Sequence, residues 1–293
     1  MKLKVIDAVT YCDLFPDSGL VYNSAEFNQI NRSKCDNLIF LLFHDSKRKI
    51  GIIAGVIKSE LISPFSAPFS CFSVNDTKMK FEYISEALLL LDGLADELQL
   101  SNVKFVLPPF FYNENLISKI AICLAQNNYS SDLLVNHHLL SSDHISYVEG
   151  RVDKNLRYSI KTAMRFELVF RIASNADEYK LAYNVIELNK RSKERPQSMT
   201  FDQILEMTRL INIDFMLVLK EGNPIASAIV YNHTPEIVQI IFWGALPDTS
   251  RYYPMNFLVS NILKYYYEKG VRIIDLGTSM LGSRLNTGLI NFK

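Results

Sequence analysis

The sequence predicts an α/β protein, of the mixed α+β kind, with two tandem domains that each contain a mixed twisted sheet flanked by helices. The chain has 293 residues, which suffices for one large domain or two ordinary ones. Each half shows the same order of elements: strand, polar turn, strand, connecting segment, amphipathic helix and strand. Corresponding elements lie about 170 to 175 residues apart, which favours two similar domains over a solenoid, whose period would be ~20–50 residues.

The repeated order also has a simpler explanation. Strand–helix–strand successions are common in α/β proteins, so two of them can occur in one chain by coincidence. On the tandem interpretation we place an N-terminal domain at residues 1–150 and a C-terminal domain at residues 151–293.

In the first half, apolar runs at 38–43 and 50–57 flank a polar turn and predict a β-hairpin. Residues 61–72 contain two prolines and three phenylalanines, which favours an ordered loop. Over 83–98 the apolar residues recur every three or four positions, which predicts a helix with one buried face. The remaining elements of this half are a strand over 103–107, a helix over 113–126 and an extended segment over 131–140.

The second half carries clearer helix signals. Thr200 and Gln203 have the spacing of a capping box, in which each side chain satisfies a backbone donor of the first turn. The predicted elements are helices over 154–165 and 177–190, the helix that Thr200 begins, a three-stranded meander over 215–243, an amphipathic helix over 255–266 ending near Gly270, and a strand over 272–276.

Composition limits the classes of partner. Apolar residues make up 48% and charged residues 21% of the chain, close to the average of globular proteins, so we expect an ordered protein. The formal net charge is zero, and no global field attracts DNA or a membrane surface. Anion binding would have to come from a local patch, and we expect no DNA partner.

The four cysteines are widely spaced and contain no C-x-x-C pair, which fits a reducing compartment. Asp7 and Asp13 interrupt the region where a signal peptide would be apolar, and no stretch reaches the ~20 apolar residues of a membrane span. We therefore expect a cytoplasmic protein. The adjacent residues His137 and His138 cannot both face one side of a strand, so we expect no metal site.

The last twenty-one residues concentrate polar side chains after an apolar strand. Loops at strand ends are where open α/β sheets usually place binding and catalytic groups. The candidates are Asp275, Thr278, Ser279, Ser283, Arg284, Asn286 and Lys293. Asp275 can accept a proton from, or orient, an attacking ammonium group. Alternatively, it caps the loop through backbone N–H groups, as strand-end aspartates commonly do.

Two basic clusters are candidates for binding phosphate. Lys154, Arg157, Lys161 and Arg165 recur at spacings of three, four and four and form one stripe, opposite an apolar side made of Leu156, Ile160, Ala163 and Met164. A second cluster consists of Lys190, Arg191, Lys193 and Arg195. Together they can hold a diphosphate or the backbone of an acceptor-stem RNA. The alternative is a solvated helix face, favoured by the neutral chain and the lack of an interleaved aromatic platform.

Four stretches carry a family resemblance by their order along the chain. They are Ser63-Pro-Phe-Ser-Ala-Pro-Phe69, Tyr158-Ser-Ile-Lys-Thr-Ala163, Trp243-Gly244 with Tyr253-Pro-Met-Asn256, and Asp275-Leu-Gly277 with Gly288-Leu-Ile-Asn-Phe-Lys293. With the meander, helix and strand of the second half, they resemble the GNAT acetyltransferase fold and, as a tandem, the bacterial FemAB-like acyl- and aminoacyltransferases. The resemblance implies transfer of an acyl group from acyl-CoA, or an aminoacyl group from aminoacyl-tRNA, to an amine of a small molecule or peptide.

The resemblance also implies roles for single residues. Lys293 matches the family lysine thought to stabilise the charge that develops on the carbonyl oxygen; the alternative is a terminal lysine in solvent. Ser250, Arg251, Tyr253 and Asn256 lie where a GNAT loop would bind the pyrophosphate of coenzyme A.

That loop is atypical. Pro254 and Asn256 stand where glycine or alanine is usual, and proline has no N–H to offer. Trp243 and Tyr253 can stack on an acyl donor or simply pack, and Ser279 and Asn286 belong to the acceptor side. These departures support an alternative, a GNAT-fold binding or regulatory protein without activity.

The family pattern continues beyond the Phe-Lys pair that ends this sequence. We therefore expect either a missing last strand or a sheet that closes differently. An open sheet edge there would allow oligomerisation, because unpaired edge strands invite pairing.

Overall fold

The computed structural model describes residues 1–16, 19–76, 78–281 and 284–293, apart from the side chains of residues 147, 148 and 281; the candidate Ser283 lies outside the described residues. The chain divides by contacts into two units, Met1–Leu133 and Leu134–Lys293.

The first unit contains a six-stranded sheet with helices on both faces. Its strands are β1 (Lys2–Ile6), β2 (Asn37–His44), β3 (Lys49–Ile57), β4 (Glu60–Ser63), β5 (Ser73–Val74) and β6 (Asn102–Phe105). Its helices are α1 (Ala8–Leu14), α2 (Ala25–Ile30), α3 (Phe81–Glu97) and α4 (Glu114–Gln126). The strand order is β1-β2-β3-β4-β6, β5 pairs with β3, and β4 and β6 run parallel.

The predicted hairpin corresponds to β2 and β3, and both faces of these strands are covered. Leu41 and Phe43 pack with α3 and α4, whereas Phe40 and Leu42 pack with α1 and α2. A strand that is buried on both faces reads as a continuous apolar run, which explains the sequence of β2. Each fully buried aliphatic or aromatic side chain contributes about 1.5–3 kcal/mol relative to an exposed one.

The segment predicted as an ordered loop over 61–72 begins instead with a strand. β4 pairs antiparallel with β3 and parallel with β6 before Pro64 ends it. Because proline lacks the N–H that a ladder needs, the strand stops at Ser63 and the rest of the segment is irregular.

The second unit also has a six-stranded sheet, with six helices among the described residues. Its strands are β7 (Asn136–Leu140), β8 (Val169–Ile172), β9 (Ile213–Lys220), β10 (Asn223–Asn232), β11 (Ile237–Ala245) and β12 (Ile273–Thr278), followed by a two-stranded ribbon of β13 (Met280–Leu281) and β14 (Arg284–Leu285). The helices are α5 (Asp143–Val148), α6 (Lys154–Arg165), α7 (Ala176–Arg191), α8 (Phe201–Met207), α9 (Pro254–Glu268) and α10 (Thr287–Phe292).

The strand order in this unit is β7-β12-β11-β10-β9-β8, and only the β11–β12 pair is parallel among the described strands. The predicted meander corresponds to β9, β10 and β11. The capping box of Thr200 and Gln203 begins α8, and Gly270, with φ +74°, follows the end of α9. Leu258, Ile262 and Tyr266 of α9 pack into the core on the sheet.

Both units therefore share one succession: a three-stranded antiparallel meander, a long helix, and a strand parallel to the third meander strand. In the first unit these are β2, β3, β4, α3 and β6; in the second, β9, β10, β11, α9 and β12. The predicted tandem of α/β domains with mixed sheets is confirmed.

The strand β7 changes two details of the prediction. It lies before residue 150, yet it pairs antiparallel with β12, so the contacts assign it to the second unit and divide the chain after Leu133. It also occupies the free side of β12, so that strand is not at the sheet edge, and the open edge expected there for oligomerisation is not found on it. Within the described residues, no helix is both long and apolar enough to cross a bilayer.

Two glycines of the first unit, one in a strand and one in a helix, provide a test of how tightly the core is packed. A Cβ on Gly51 of β3 would lie 2.5 Å from Phe15 Cε2 and 2.6 Å from Tyr11 Oη, whereas a Cβ on Gly93 of α3 would meet no atom within 4 Å. We expect Gly51→Ala to destabilise the protein by about 1–3 kcal/mol, because two buried rings must move. Gly93→Ala should instead stabilise it by up to about 1 kcal/mol through helix propensity. Urea unfolding followed by circular dichroism measures both, and equal midpoints for the two variants would contradict the packing.

Candidate functional site

The candidate site lies where β11 and β12 separate. The two strands pair in parallel at only three positions, from Ile237 opposite Ile273 to Gln239 opposite Asp275. Beyond these pairs β11 continues to Ala245 and β12 to Thr278 without further pairing to each other. Diverging carboxyl ends of parallel strands leave backbone groups and side chains available to a ligand, which is the usual binding position in open α/β sheets.

Asp275 occupies the branch point and joins three strands. Its Oδ2 accepts a hydrogen bond from Gln239 Nε2 on β11 at 2.9 Å, and its Oδ1 accepts from Asn136 Nδ2 on β7 at 2.8 Å. Oδ1 also accepts from the backbone N–H of Gly277 at 2.8 Å, and the residue is 0% exposed. These contacts fit the loop-capping alternative. The direct transfer of a proton to Asp275 stays a prediction.

The polar contacts extend from Asp275 into the core. Gln239 is buried, and its Oε1 lies 3.0 Å from His233 Nε2. Burial lowers the pKa of His233 to about 4, so this ring is neutral at neutral pH. A neutral imidazole at Gln239 adds no positive charge to the branch point.

Lys293 is held against the end of β12. Its Nζ donates hydrogen bonds to the carbonyl oxygens of Gly277 at 2.7 Å and Thr278 at 3.0 Å. Burial lowers the pKa of Lys293 to about 8, while the negative charge of Asp275 acts in the opposite direction. The lysine is thus a fixed, partly desolvated group rather than a side chain extending freely into solvent.

The helix α10 links the two separated strands. The Phe292 ring meets the Trp243 ring of β11 edge-on, with centroids 5.6 Å apart, while the next residue, Lys293, reaches β12. Asn286 caps the helix by accepting from Leu289 N at 3.1 Å. Its own N–H donates to Ser279 O at 2.9 Å. Trp243, Asn286, Ser279 and Lys293, predicted separately, are therefore brought to one region.

Sequence reasoning did not identify His137 as a site residue. Its Nδ1 lies 3.0 Å from Ser279 Oγ, the His137 ring is half-buried, and Ser279 is 0% exposed. Burial, and next the charges of Lys293 and His138, lower the pKa of His137. The pairing of β7 with β12 brings His137 next to Ser279, and these strands lie about 140 residues apart in the sequence. Local patterns in the sequence do not indicate such a distant pairing.

The residues predicted to bind phosphate surround the start of α9. Residues Ser250–Tyr252 form a 3₁₀ turn, and Tyr253 precedes the helix in the left-handed conformation, with φ +52°. Arg251 stacks on Tyr252 with its Cζ 4.7 Å from the ring centroid, and its Nη2 donates to Tyr252 Oη at 2.6 Å. Pro254 is the first residue of α9. Asn256, two residues later, is half-buried. The guanidinium is exposed and carries the positive charge of this loop.

The basic stripe on α6 faces solvent, as the spacing predicts. Lys154, Arg157, Lys161 and Arg165 are exposed, and the helix is anchored by Ile160 and Ala163. Arg157 donates hydrogen bonds to the carbonyls of Gly150 and Val152, so it also fixes the start of the helix.

Two details of α6 differ from the prediction. Met164, assigned to the apolar side, is 60% exposed. Tyr158 lies within the stripe, is 62% exposed, and meets the Tyr253 ring edge-on with centroids 6.3 Å apart. The stripe does include an aromatic side chain, and that side chain connects it to the start of α9.

The second basic cluster lies beside β11. Lys190 Nζ is 4.4 Å from the centroid of Phe242, and Lys193 Nζ donates to Asn189 Oδ1 at 3.3 Å. Asn189 Nδ2 in turn donates to Ala245 O at 2.6 Å, at the end of β11. Burial, followed by the charge of Arg195, lowers the pKa of both lysines.

The electrostatic interaction between Asp275 and Lys293 can be tested with the variant Asp275→Asn. We expect the pKa of Lys293 to fall below its value of about 8, because the variant removes the negative charge that favours the protonated amine. NMR titration of the Lys293 side chain, assigned by its loss in Lys293→Arg, gives the midpoint. Asp177→Asn, on the first turn of α7, is the matched control and should leave the midpoint unchanged. An unchanged midpoint in Asp275→Asn would show that the two groups do not interact.

Trp243 reports on α10, because it is the single tryptophan of the chain. We expect Phe292→Ala to shift the Trp243 emission to longer wavelength, since the variant removes the ring that packs against the indole. Steady-state fluorescence measures the shift. Phe110→Ala removes an exposed phenylalanine of the first unit and should leave the emission as in the wild type. If the two variants gave the same spectrum, α10 would not contact β11 in solution.

No protein-family model and no curated protein matches the chain. Among solved structures, FemX is similar with a TM-score of 0.63 and 8% identity, covering 100% of this chain and 93% of FemX. The C-terminal domain of a putative lysylphosphatidylglycerol synthetase from Agrobacterium fabrum gives a TM-score of 0.62 and 15% identity, covering 93% and 80% of the two chains. A tandem GNAT protein from the clavulanic acid biosynthesis pathway gives 0.50 and 10%, covering 94% and 88%. At these identities the comparisons establish the fold alone, and the chain has a tandem GNAT fold similar to these structures.

Proposed function

We propose that the protein transfers an acyl or aminoacyl group to an amine at the point where β11 and β12 separate. The observation that carries the proposal is Lys293, a partly desolvated amine fixed by two carbonyl oxygens beside that point. The tandem GNAT fold shared with FemX supports the same class of reaction.

The proposed chemistry is direct attack of the amine on the carbonyl carbon of the donor. As the bond forms, negative charge develops on the carbonyl oxygen, and the Lys293 ammonium stabilises it. A positioned donor of this kind contributes about 2.7–4 kcal/mol in a site that excludes water. Asp275 acts by holding Lys293 in its charged form and by fixing the loop that presents it.

The donor we favour is an aminoacyl ester on RNA, with acyl-CoA as the second candidate. Pro254 offers no N–H at the start of α9, where a diphosphate would otherwise bind. Exposed cations and Tyr158 on α6 suit a phosphate backbone and an unpaired base. The acceptor would be an amine of a small molecule or peptide.

One observation favours a binding or regulatory protein instead. The Lys293 ammonium already donates two of its three N–H groups to backbone carbonyl oxygens, so only one N–H is left for a substrate carbonyl. A protein in which that N–H contacts no substrate carbonyl would retain the fold without the reaction.

The two functions are separated by binding and turnover. Titration with acetyl-CoA, longer acyl-CoAs and an aminoacylated minihelix RNA should change Trp243 fluorescence for a true donor, and labelled donor should appear on an amine acceptor. Transfer is then measured in the Lys293 variants. We expect Lys293→Ala to lower kcat by about 10²–10³-fold. Lys264→Ala, which removes an exposed lysine of α9, is the matched control and should leave kcat unchanged.

The pH dependence provides a second readout. If the Lys293 cation stabilises the oxyanion, wild-type kcat falls as the pH rises through about 8, the pKa of that amine. Lys293→Arg keeps its charge and should lose this limb of the profile. Equal transfer by Lys293→Ala and the wild type would remove Lys293 from the reaction, and no transfer from any donor would favour the binding protein.

A further inference from the structure

We propose that His137 is the catalytic base of the reaction, taking the proton of the attacking amine on Nε2 while Ser279 holds the ring through Nδ1. The inference rests on the proposed function. It starts from a pair of side chains that the strand pairing of β7 with β12 brings together, with Nδ1 and Oγ 3.0 Å apart.

Burial distinguishes the roles of the two side chains. Ser279 is 0% exposed, so its hydroxyl cannot reach a donor carbonyl, and a nucleophilic serine is not the best interpretation of the pair. His137 is half-buried and therefore retains some exposure to solvent. Ser279 is therefore a positioning residue, and His137 is the group that can contact substrate.

The serine is itself firmly placed. Its N–H donates to Val135 O at 2.9 Å, and its carbonyl accepts from Asn286 N at 2.9 Å. When the His137 Nδ1–H donates to the fixed hydroxyl, Nε2 carries the free lone pair of the neutral ring. The Ser279 hydroxyl is able to donate to Nδ1 or to accept from Nδ1–H, and the proposal requires the second arrangement, which leaves the lone pair on Nε2.

The base lies next to the proposed oxyanion group. His137 is opposite Gly277 in the β7–β12 ladder, and the Gly277 carbonyl accepts from Lys293 Nζ at 2.7 Å. The charged or titratable groups near the ring are Lys293 directly after α10 and His138 on its own strand, with Asp275 opposite His138 on β12. Burial, and next the charge of Lys293, lower the pKa of His137, so the ring is neutral and able to accept a proton at neutral pH.

The reaction balances with these groups alone. The amine nitrogen attacks the donor carbonyl carbon and forms the C–N bond, which makes that nitrogen positively charged and strongly acidic. His137 Nε2 takes one proton from it. The bond from the carbonyl carbon to the sulfur or ribose oxygen of the donor then breaks, and the proton passes from Nε2 to that leaving atom. The products are an amide and a free thiol or hydroxyl.

The test combines a tautomer measurement with transfer assays on the full chain. In the wild type we expect ¹⁵N NMR of histidine to show His137, assigned from the spectrum of His137→Asn, with a proton on Nδ1 and none on Nε2. His137→Asn keeps a polar group near Nδ1 but has none at Nε2. It should lower kcat by about 10²–10⁴-fold and lose the acid limb of the pH profile, with an unchanged melting temperature.

Two further variants separate positioning from folding. Ser279→Ala should lower kcat by about 3–10-fold with little change in KM, because the ring then divides between its two tautomers. The same variant should show a protonated Nε2 fraction by NMR, a readout that a purely structural serine would not move. His138→Asn, an exposed neighbour on β7, should stay within about twofold of the wild-type kcat.

The possible outcomes are distinct. A wild-type protein that transfers no group from any donor overturns the proposed function, and this inference with it. A wild type that transfers while His137→Asn transfers equally well overturns the inference alone. A wild-type His137 protonated on Nε2 also overturns it, since that nitrogen then has no lone pair for the amine proton.

Discussion

The buried carboxylate of Asp275 is the constraint on which the second unit depends. An unpaired charge in a protein interior costs several kcal/mol, so such a group persists only where donors surround it. Here the donors come from Gln239 on β11, Asn136 on β7 and the backbone of Gly277. One side chain therefore holds together three strands, one of which comes from the segment that precedes the rest of the unit.

The same carboxylate accounts for the geometry that follows it. The register of β12 on β7 shifts between Asp275 and Gly277, and Gly277 has φ +69°, a conformation that glycine adopts without strain. With its N–H directed to Asp275, Gly277 presents its carbonyl to Lys293. Gly277 therefore bonds both to the buried Asp275 carboxylate and to the Lys293 amine at the end of β12. Burial lowers the pKa of Lys293, although the negative charge of Asp275 acts to raise it.

Periodicity and turn chemistry in the sequence were sufficient for most of the fold. The meander, the apolar face of α9 and the capping box of Thr200 are local patterns, and local patterns determine local structure. Lys293 was a candidate because polar residues concentrate after the last predicted strand, but its role came from the family resemblance. Its hydrogen bonds to Gly277 and Thr278 depend on a helix that crosses between two strands, which no spacing indicates.

The position of β7 could not be predicted for a different reason. The strand has the polar residues Asn136, His137 and His138 in succession, so no apolar alternation indicates how it packs. Its partner lies far away in the chain, and single-sequence reasoning detects alternation within a strand but not the choice of neighbour. The division of the contacts after Leu133 and the His137–Ser279 pair both follow from that one pairing.

The comparison of the two units explains why the candidate chemistry belongs to the second. In each, a long helix leads into a strand parallel to the third strand of the meander. The third pair of that ladder is Gln239 and Asp275 in the second unit but Ile62 and Lys104 in the first. The Ile62 side chain has no hydrogen-bond donor, and Lys104 is exposed rather than buried. The first ladder also continues to a fourth pair, Ser63 with Phe105, where the second separates. The two parallel strands thus separate in the unit that contains the buried Asp275. In the first unit, which lacks this acid, the strands stay paired and Phe105 packs against Phe72.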